Sequence, residues 1–270
     1  MGDLRPRSRA SLTGITASVY NFGGFAGSVG MGLAIALYGW RLGLGGLSIL
    51  GLVYLPIMFL FMGSASDSQK SEKGVSSSLS YYTLLKSKNT LFAGASLFMA
   101  MYASFAIVSW TPTYLTHFGV DSSVAGVVVG AFSLAGGVTA IMSGRLADAW
   151  GEKRLILATG TTAGILSVLL FPYNLDFTLM IALIISLGFL VWPSWNLITS
   201  MVQRLVDSAS VGSMTGLVQT FGMLGGFLGP VVTGVLVKYY GIGSAMLGSA
   251  AISLCLYALL IVPFREVSKH

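Results

Sequence analysis

The chain has 270 residues, 54% of them apolar and only 9% Asp, Glu, Lys or Arg, with a mean hydropathy of +0.82. Soluble globular domains carry roughly 25% charged residues, so a water-driven core under a charged shell is excluded and lipid is the expected surrounding. The net charge of +6 needs no nucleic acid to explain it, because an excess of Lys and Arg follows from membrane orientation and the anionic inner leaflet.

The basic start, Arg5, Arg7 and Arg9, leads into an apolar run longer than the roughly 7–15 residues of a signal-peptide core. No cleavable leader is expected, and Pro6 stands where a myristoylation pattern needs Ser or Thr. A helix crossing about 30 Å of hydrocarbon needs ~20 uncharged residues. Such runs occupy 14–38, 42–62, 90–115, 123–143, 155–172, 177–203, 211–237 and 242–264, without Asp, Glu, Lys, Arg or His in any of them. The predicted fold is therefore all-α, a polytopic bundle of about eight membrane-spanning helices.

The connections set its orientation. With that topology, thirteen of the fifteen basic residues fall on one side, and only Arg41 and Lys238 on the other. Cytoplasmic loops collect Lys and Arg, so the basic side is expected inside, with both termini cytoplasmic and the protein in the cell membrane. The longest polar segment, 63–89, is rich in Ser and carries Asp67, Lys70, Glu72 and Lys73. It is expected to be a cytoplasmic linker, with 81–86 a short interfacial turn, dividing the chain into 1–62, 63–89 and 90–270.

A shift of 199 residues lays the first span on the seventh: Val19, Phe22, Gly23, Gly27, Gly30 and Leu37 meet Val218, Phe221, Gly222, Gly226, Gly229 and Leu236. A parallel repeat of helix groups is one of the common transporter plans. Enzyme chemistry finds no support, since HExxH, GxSxG and Asp-rich diphosphate motifs are missing. Cys255 has no second thiol, and His117 and His270 fall on opposite sides of the topology, so neither a metal site nor a cofactor is expected.

After the fourth span comes Gly144-Arg145-Leu146-Ala147-Asp148-Ala149-Trp150-Gly151-Glu152-Lys153-Arg154. This resembles the G-x-L-a-D-x-x-G-x-K/R-R cytoplasmic loop of the major facilitator superfamily. Gly39-Trp40-Arg41 is similar to that family's external turn between helices five and six. Trp110-Thr111-Pro112-Thr113-Tyr114-Leu115 resembles the end of its helix seven, and Gly225 to Pro230 the Gly-rich start of helix eleven. By this register the spans are family helices five to twelve, with a complete C-terminal six-helix half, and helices one to four are absent. The resemblance implies a cavity walled by helices one, four, seven and ten, of which this chain supplies two. Three expectations are then open: a truncated or split product completed by a second chain, a start placed too late, or a homo-oligomer that supplies the others.

The third and sixth spans then face the cavity, and Tyr102, Ser109, Trp192, Trp195, Asn196 and Gln219 are the candidate solute contacts. Trp192, Trp195 and Asn196 recur at i, i+3 and i+4, one face of a helix, and Pro193 between them should bend it. The tryptophans could equally belong to an interfacial belt, and Gln219, like Asn21, could equally bond a neighbouring helix. Gly144, Asp148, Gly151, Lys153 and Arg154 are the candidate gating residues. Asp148 is expected to approach the amino end of the first span near Ser11 to Gly14, a contact worth about 0.3–1 kcal/mol when exposed; its alternative role is to stabilise its own loop. Proton coupling normally needs an ionisable group inside the membrane, and these spans offer none. The function implied is secondary active transport of a small organic solute, carboxylates included, by alternating access through a lipid bilayer. The competing reading is a non-transporting half-transporter that serves as an assembly subunit or sensor.

Overall fold

The computed structural model describes residues 6–62, 81–171, 175–207 and 210–264, with side chains from residue 19 onward apart from 47, 50, 57–62 and 81–83. Among these residues the regular elements are helices: α1 (Pro6–Met62), α2 (Tyr81–Lys86), α3 (Lys88–His117), α4 (Ser122–Trp150), α5 (Glu152–Leu170), α6 (Phe177–Val191), α7 (Pro193–Gln203), α8 (Val211–Tyr240), α9 (Ile242–Leu247), a π-helical segment (Gly248–Ile252) and α10 (Ser253–Leu260). Seven stretches are long and apolar enough to cross a membrane, the first lying within α1. Most of the expected linker, 63–80, lies outside the described residues; at 81–86, where a short turn is expected, the chain forms the helix α2.

α1 is two helices joined across a kink and not one rod. Gly39 adopts φ +77 and ψ 166, a conformation that interrupts a helix and that glycine reaches without a Cβ clash. A Cβ on Gly43 would lie 3.2 Å from the Ala34 Cβ, whereas nine residues of unbroken helix span about 13.5 Å. The chain therefore turns back at Gly39, making two arms, 6–38 and 40–62. Counting them separately reconciles seven apolar stretches with the eight spans expected. The run 177–203 breaks at Trp192, where Pro193 takes the first position of α7 because its missing N–H costs nothing there.

Chain ends of the helices are held by local chemistry. The Asp121 carboxylate accepts from the Ser123 hydroxyl and from the Ser123 backbone N–H (2.8 Å), capping α4; these two donors hold its carboxyl below the usual carboxylate range. Asp176 caps α6 in the same way through Thr178 N (3.0 Å). Gly151 and Gly241, at φ +83 and +77, turn the chain between α4 and α5 and between α8 and α9.

Glycine determines which helices meet. A Cβ on Gly225 or Gly229 would overlap the carbonyl oxygen of Phe98 or Tyr102, so α8 lies directly on the backbone of α3, in parallel register. Gly188 stands against the Phe132 carbonyl in the same manner, laying α6 parallel to α4. The first arm of α1 runs antiparallel to α4, with Gly32 against Gly126 and Phe25 against Gly130. Close backbone approach is how helices associate in lipid, where packing and weak Cα–H···O contacts replace the hydrophobic drive. Two apolar clusters fill the bundle: one around Leu97, Met101, Ile156, Leu197, Val218 and Tyr257, and another around Ile107, Tyr114, Phe132, Leu170, Ile184 and Met246.

The repeat seen in sequence has unequal surroundings in the structure. Gly222, Gly226 and Gly229 pack on α3, while their counterparts Gly23, Gly27 and Gly30 have no atom within 4 Å of a built Cβ among the described residues. Replacing Gly225 by Val should consequently force α8 off α3 and cost about 1–3 kcal/mol by overpacking, read as a lower thermal midpoint in detergent. Gly216→Val, with nothing within 4 Å, should leave that midpoint nearly unchanged.

Candidate functional site

Two features meet on α7. The first is charged and lies where α4, α5 and α7 end or begin. Arg204 caps the carboxyl end of α7, a position that favours a cation. Its Nη2 is 2.6 Å from Glu152 Oε1 and 3.8 Å from Asp148 Oδ1. Glu152 occupies the first turn of α5, just after the turn at Gly151, a position that favours an anion. Its side chain is 8% exposed, against 64% for Asp148 and 48% for Arg204. Asp148 sits in the last turn of α4, where the helix dipole opposes it, so Arg204 offsets that repulsion as well. Ser200 Oγ donates toward Glu152 Oε1 at 3.4 Å.

These groups line a crevice of about 40 Å³ together with Ser143, Gly144 and Asn196. That volume admits a water or two but no organic solute, whose clefts measure about 300–1,000 Å³. The remaining members of the loop have separate tasks. Lys153 Nζ donates to the Val262 and Phe264 carbonyls at 2.7 and 2.9 Å, so it fastens the chain just beyond α10 and takes no part in the crevice. Arg154 is exposed. Gly151 supplies the positive φ that joins α4 to α5. The expected contact of Asp148 with Ser11 to Gly14 concerns side chains outside the described ones; the partner that the structure shows for Asp148 is Arg204.

The second feature is aromatic. Trp192, at the break between α6 and α7, fills a notch opened by Gly136 in α4, where a Cβ would overlap the indole. Tyr20, Phe132 and Phe105 meet its ring edge-on at 6.0, 6.1 and 6.5 Å, drawing α1, α4 and α3 together around it. The Trp192 Nε1 proton is buried and has no acceptor among the described residues. One turn further on, Asn196 lines the crevice and Trp195 packs on the apolar cluster around Leu197. Gln219 of α8 donates to Thr199 Oγ1 at 3.5 Å, and Gln203 to Thr215 Oγ1 at 3.1 Å, forming a polar seam between α7 and α8.

Of the expected solute contacts, Trp192, Trp195, Asn196 and Gln219 therefore gather on α7 and its neighbours. Tyr102 goes elsewhere: it stacks on Phe98 at 6.5 Å and lines an apolar groove between α8 and α9. Ser109 is exposed, next to Trp110, whose indole donates to the Pro230 carbonyl at 3.0 Å. Sequence reasoning missed Glu152, Ser200 and Arg204 as a unit. No sequence signal points to it, because Arg204 lies some fifty positions from both acids and only packing joins them.

Among the described residues Arg204 is the ion-pair partner of both acids. Arg204→Met should leave Glu152 buried without its counter-charge and cost about 1–2 kcal/mol, less than a fully buried pair because the Arg204 side chain is half exposed. Adding Glu152→Gln should recover most of the loss in thermal midpoint, and equal midpoints for the single and double variants would show that the pair does not hold the helix ends.

The profile of the Major Facilitator Superfamily matches residues 1–230 and 115–270. Among similar proteins, an MFS-type transporter of Gibberella moniliformis is 25% identical over 97% of this chain and 65% of its own length. A hexuronate transporter of Bacillus subtilis is 24% identical over 87% of this chain and 60% of its own. The multidrug resistance protein MdtG of Escherichia coli is 28% identical over 67% and 46%. The chain thus spans less than two thirds of the length of these relatives. Its apolar helices, its Gly-Arg-Leu-Ala-Asp loop and the match along its whole length make it a member of the Major Facilitator Superfamily.

Proposed function

We propose that this chain moves a small organic solute across the cell membrane by alternating access, with both termini cytoplasmic and the Asp148 end of the bundle inside. The observation that carries the reading is the pairing of two features on α7: an aromatic and amide face at mid-span, and a charged crevice at the end. Trp192 Nε1, the Asn196 amide and the Gln219 amide are neutral hydrogen-bonding groups, suited to hydroxyl or carbonyl oxygens on the solute. The hexuronate relative suggests a carboxylate; the apolar spans hold no Lys or Arg, so an anionic group would be neutralised from outside them.

In this reading Arg204 works as the inner latch. It draws the ends of α4, α5 and α7 together while the crevice is narrow, and the bend at Pro193 lets α7 swing when the ion pairs part. An ion-pair difference of 1–2 kcal/mol suffices to redistribute two nearly balanced states. The bare glycine face of the first arm, Gly23, Gly27 and Gly30, is the place where further helices would pack, whether from a second chain or from another copy. That face is also what favours the second reading, in which this chain assembles with a partner and transports nothing itself.

Proteoliposomes separate the two. Uptake by the purified chain, or by the chain with a co-reconstituted partner, supports transport; no uptake under either condition leaves the assembly role. Asn196→Leu should lower uptake roughly tenfold, the worth of one hydrogen bond of about 1.4 kcal/mol, at unchanged protein content. Uptake unaltered by that change would remove Asn196 from the solute path.

A further inference from the structure

A second concavity lies away from the charged crevice, on the outer side of the bundle. It holds about 480 Å³, within the range of ligand clefts. Phe98, Met99 and Tyr102 of α3 form its floor, Leu236 and Tyr240 of α8 one wall, and the helical run from Ser244 to Leu256 the other. At the Gly241 turn α8 packs on α9, whereas deeper down the π segment and α10 pack on α3. Thr233 Oγ1 donates to Ser249 Oγ at 2.7 Å, which satisfies the buried hydroxyls between the walls with one another.

Three observations define what could occupy it. The lining carries no charged residue and is overwhelmingly apolar, so the occupant is a hydrocarbon. Its rims, Tyr240 and Ile252, are exposed on the lipid-facing surface, so the occupant enters from the bilayer. At one end Ser244 and Tyr240 sit beside Tyr239 and Lys238 at the helix turn, where headgroups and aromatic belts meet; further in, the buried Ser249 and Ser253 add little polar surface, and Phe98, Met99 and Leu256 close the deep end. The thirteen residues from Ser244 to Leu256 rise about 18 Å, close to the ~15 Å of a single leaflet, half the ~30 Å hydrocarbon core. The π turn in the middle of this wall is of a kind that recurs at functional sites, and a Cβ on Gly248 would meet nothing within 4 Å.

We infer that this groove between α8 and the α9–α10 wall, floored by α3, is a binding site for one acyl chain of a phospholipid in the leaflet at the Tyr240 end. A lipid seated there would wedge α8 and α10 apart over the backs of Phe98 and Tyr102, whose carbonyls carry α8. The site does not depend on which solute is carried, or on whether any is.

The test uses the full chain, purified from phosphatidylcholine vesicles and delipidated in mild detergent, with retained phospholipid counted by native mass spectrometry. One phospholipid per chain should survive delipidation. Gly248→Leu, which points a side chain into open groove, should cut that occupancy at least fivefold, and Val232→Leu on the exposed side of α8 should leave it intact. A second filling variant, Ile252→Trp, should act in the same direction if Gly248→Leu lowers the thermal midpoint. Equal occupancy in wild type and both filling variants, equal loss in Val232→Leu, or retained lipid only in dimers of the chain would each overturn the assignment.

Discussion

Inside hydrocarbon a peptide N–H or C=O has no water to bond, and each one left unpaired costs several kcal/mol. That constraint explains why the regular elements described here are helices, and it governs the exceptions. Polar side chains within the spans mostly bond backward to their own helix: Ser104 to the Ala100 carbonyl, Thr159 to Leu155 and Ser167 to Ala163. Interruptions occur where something else answers the freed groups. Gly39 breaks α1 at a turn between two arms, and Pro193 breaks the sixth span where Ser194 Oγ bonds the Val191 carbonyl.

Because lipid tails are as apolar as leucine, the outward Leu, Val and Phe side chains provide no drive for the helices to associate. Association relies on closeness, and glycine supplies it. The pairs α3 with α8 and α4 with α6 use the same device, a glycine on one helix against a carbonyl on the other, in parallel register. The small residues therefore do more than tolerate packing: they decide which helices are neighbours. The charged groups are pushed to the ends, where Arg204, Glu152 and Asp148 join three helix termini at a single point.

The spans were legible because uncharged runs of membrane length are hard to place otherwise, and the turn at Gly39, the bend at Pro193 and the loop from Gly144 to Arg154 could be read from residue type. The facing of each helix could not. These helices are apolar nearly all round, so periodicity says little about which side is buried; Tyr102, expected beside Asn196, stacks on Phe98 instead. The Arg204 pair was equally hidden, since it joins Glu152 and Asp148 to a residue some fifty positions later and only tertiary packing brings them together. Lys153 shows the same limit: its motif suggests a gate, while its ammonium holds the segment just after α10.

The account rests on where the helix ends lie relative to the bilayer, and side-specific labelling reads that directly. In a variant with Cys255 replaced by Ala, single cysteines at Trp40, His117 and Tyr240 and at Asp148 and Gln203 would be treated in sealed right-side-out vesicles with a membrane-impermeant maleimide. The first three should label from one side of the membrane and the last two only from the other. Labelling of Trp40 and Asp148 from the same side would contradict the hairpin at Gly39, the antiparallel seating of the first arm on α4, and the membrane-spanning bundle built on both.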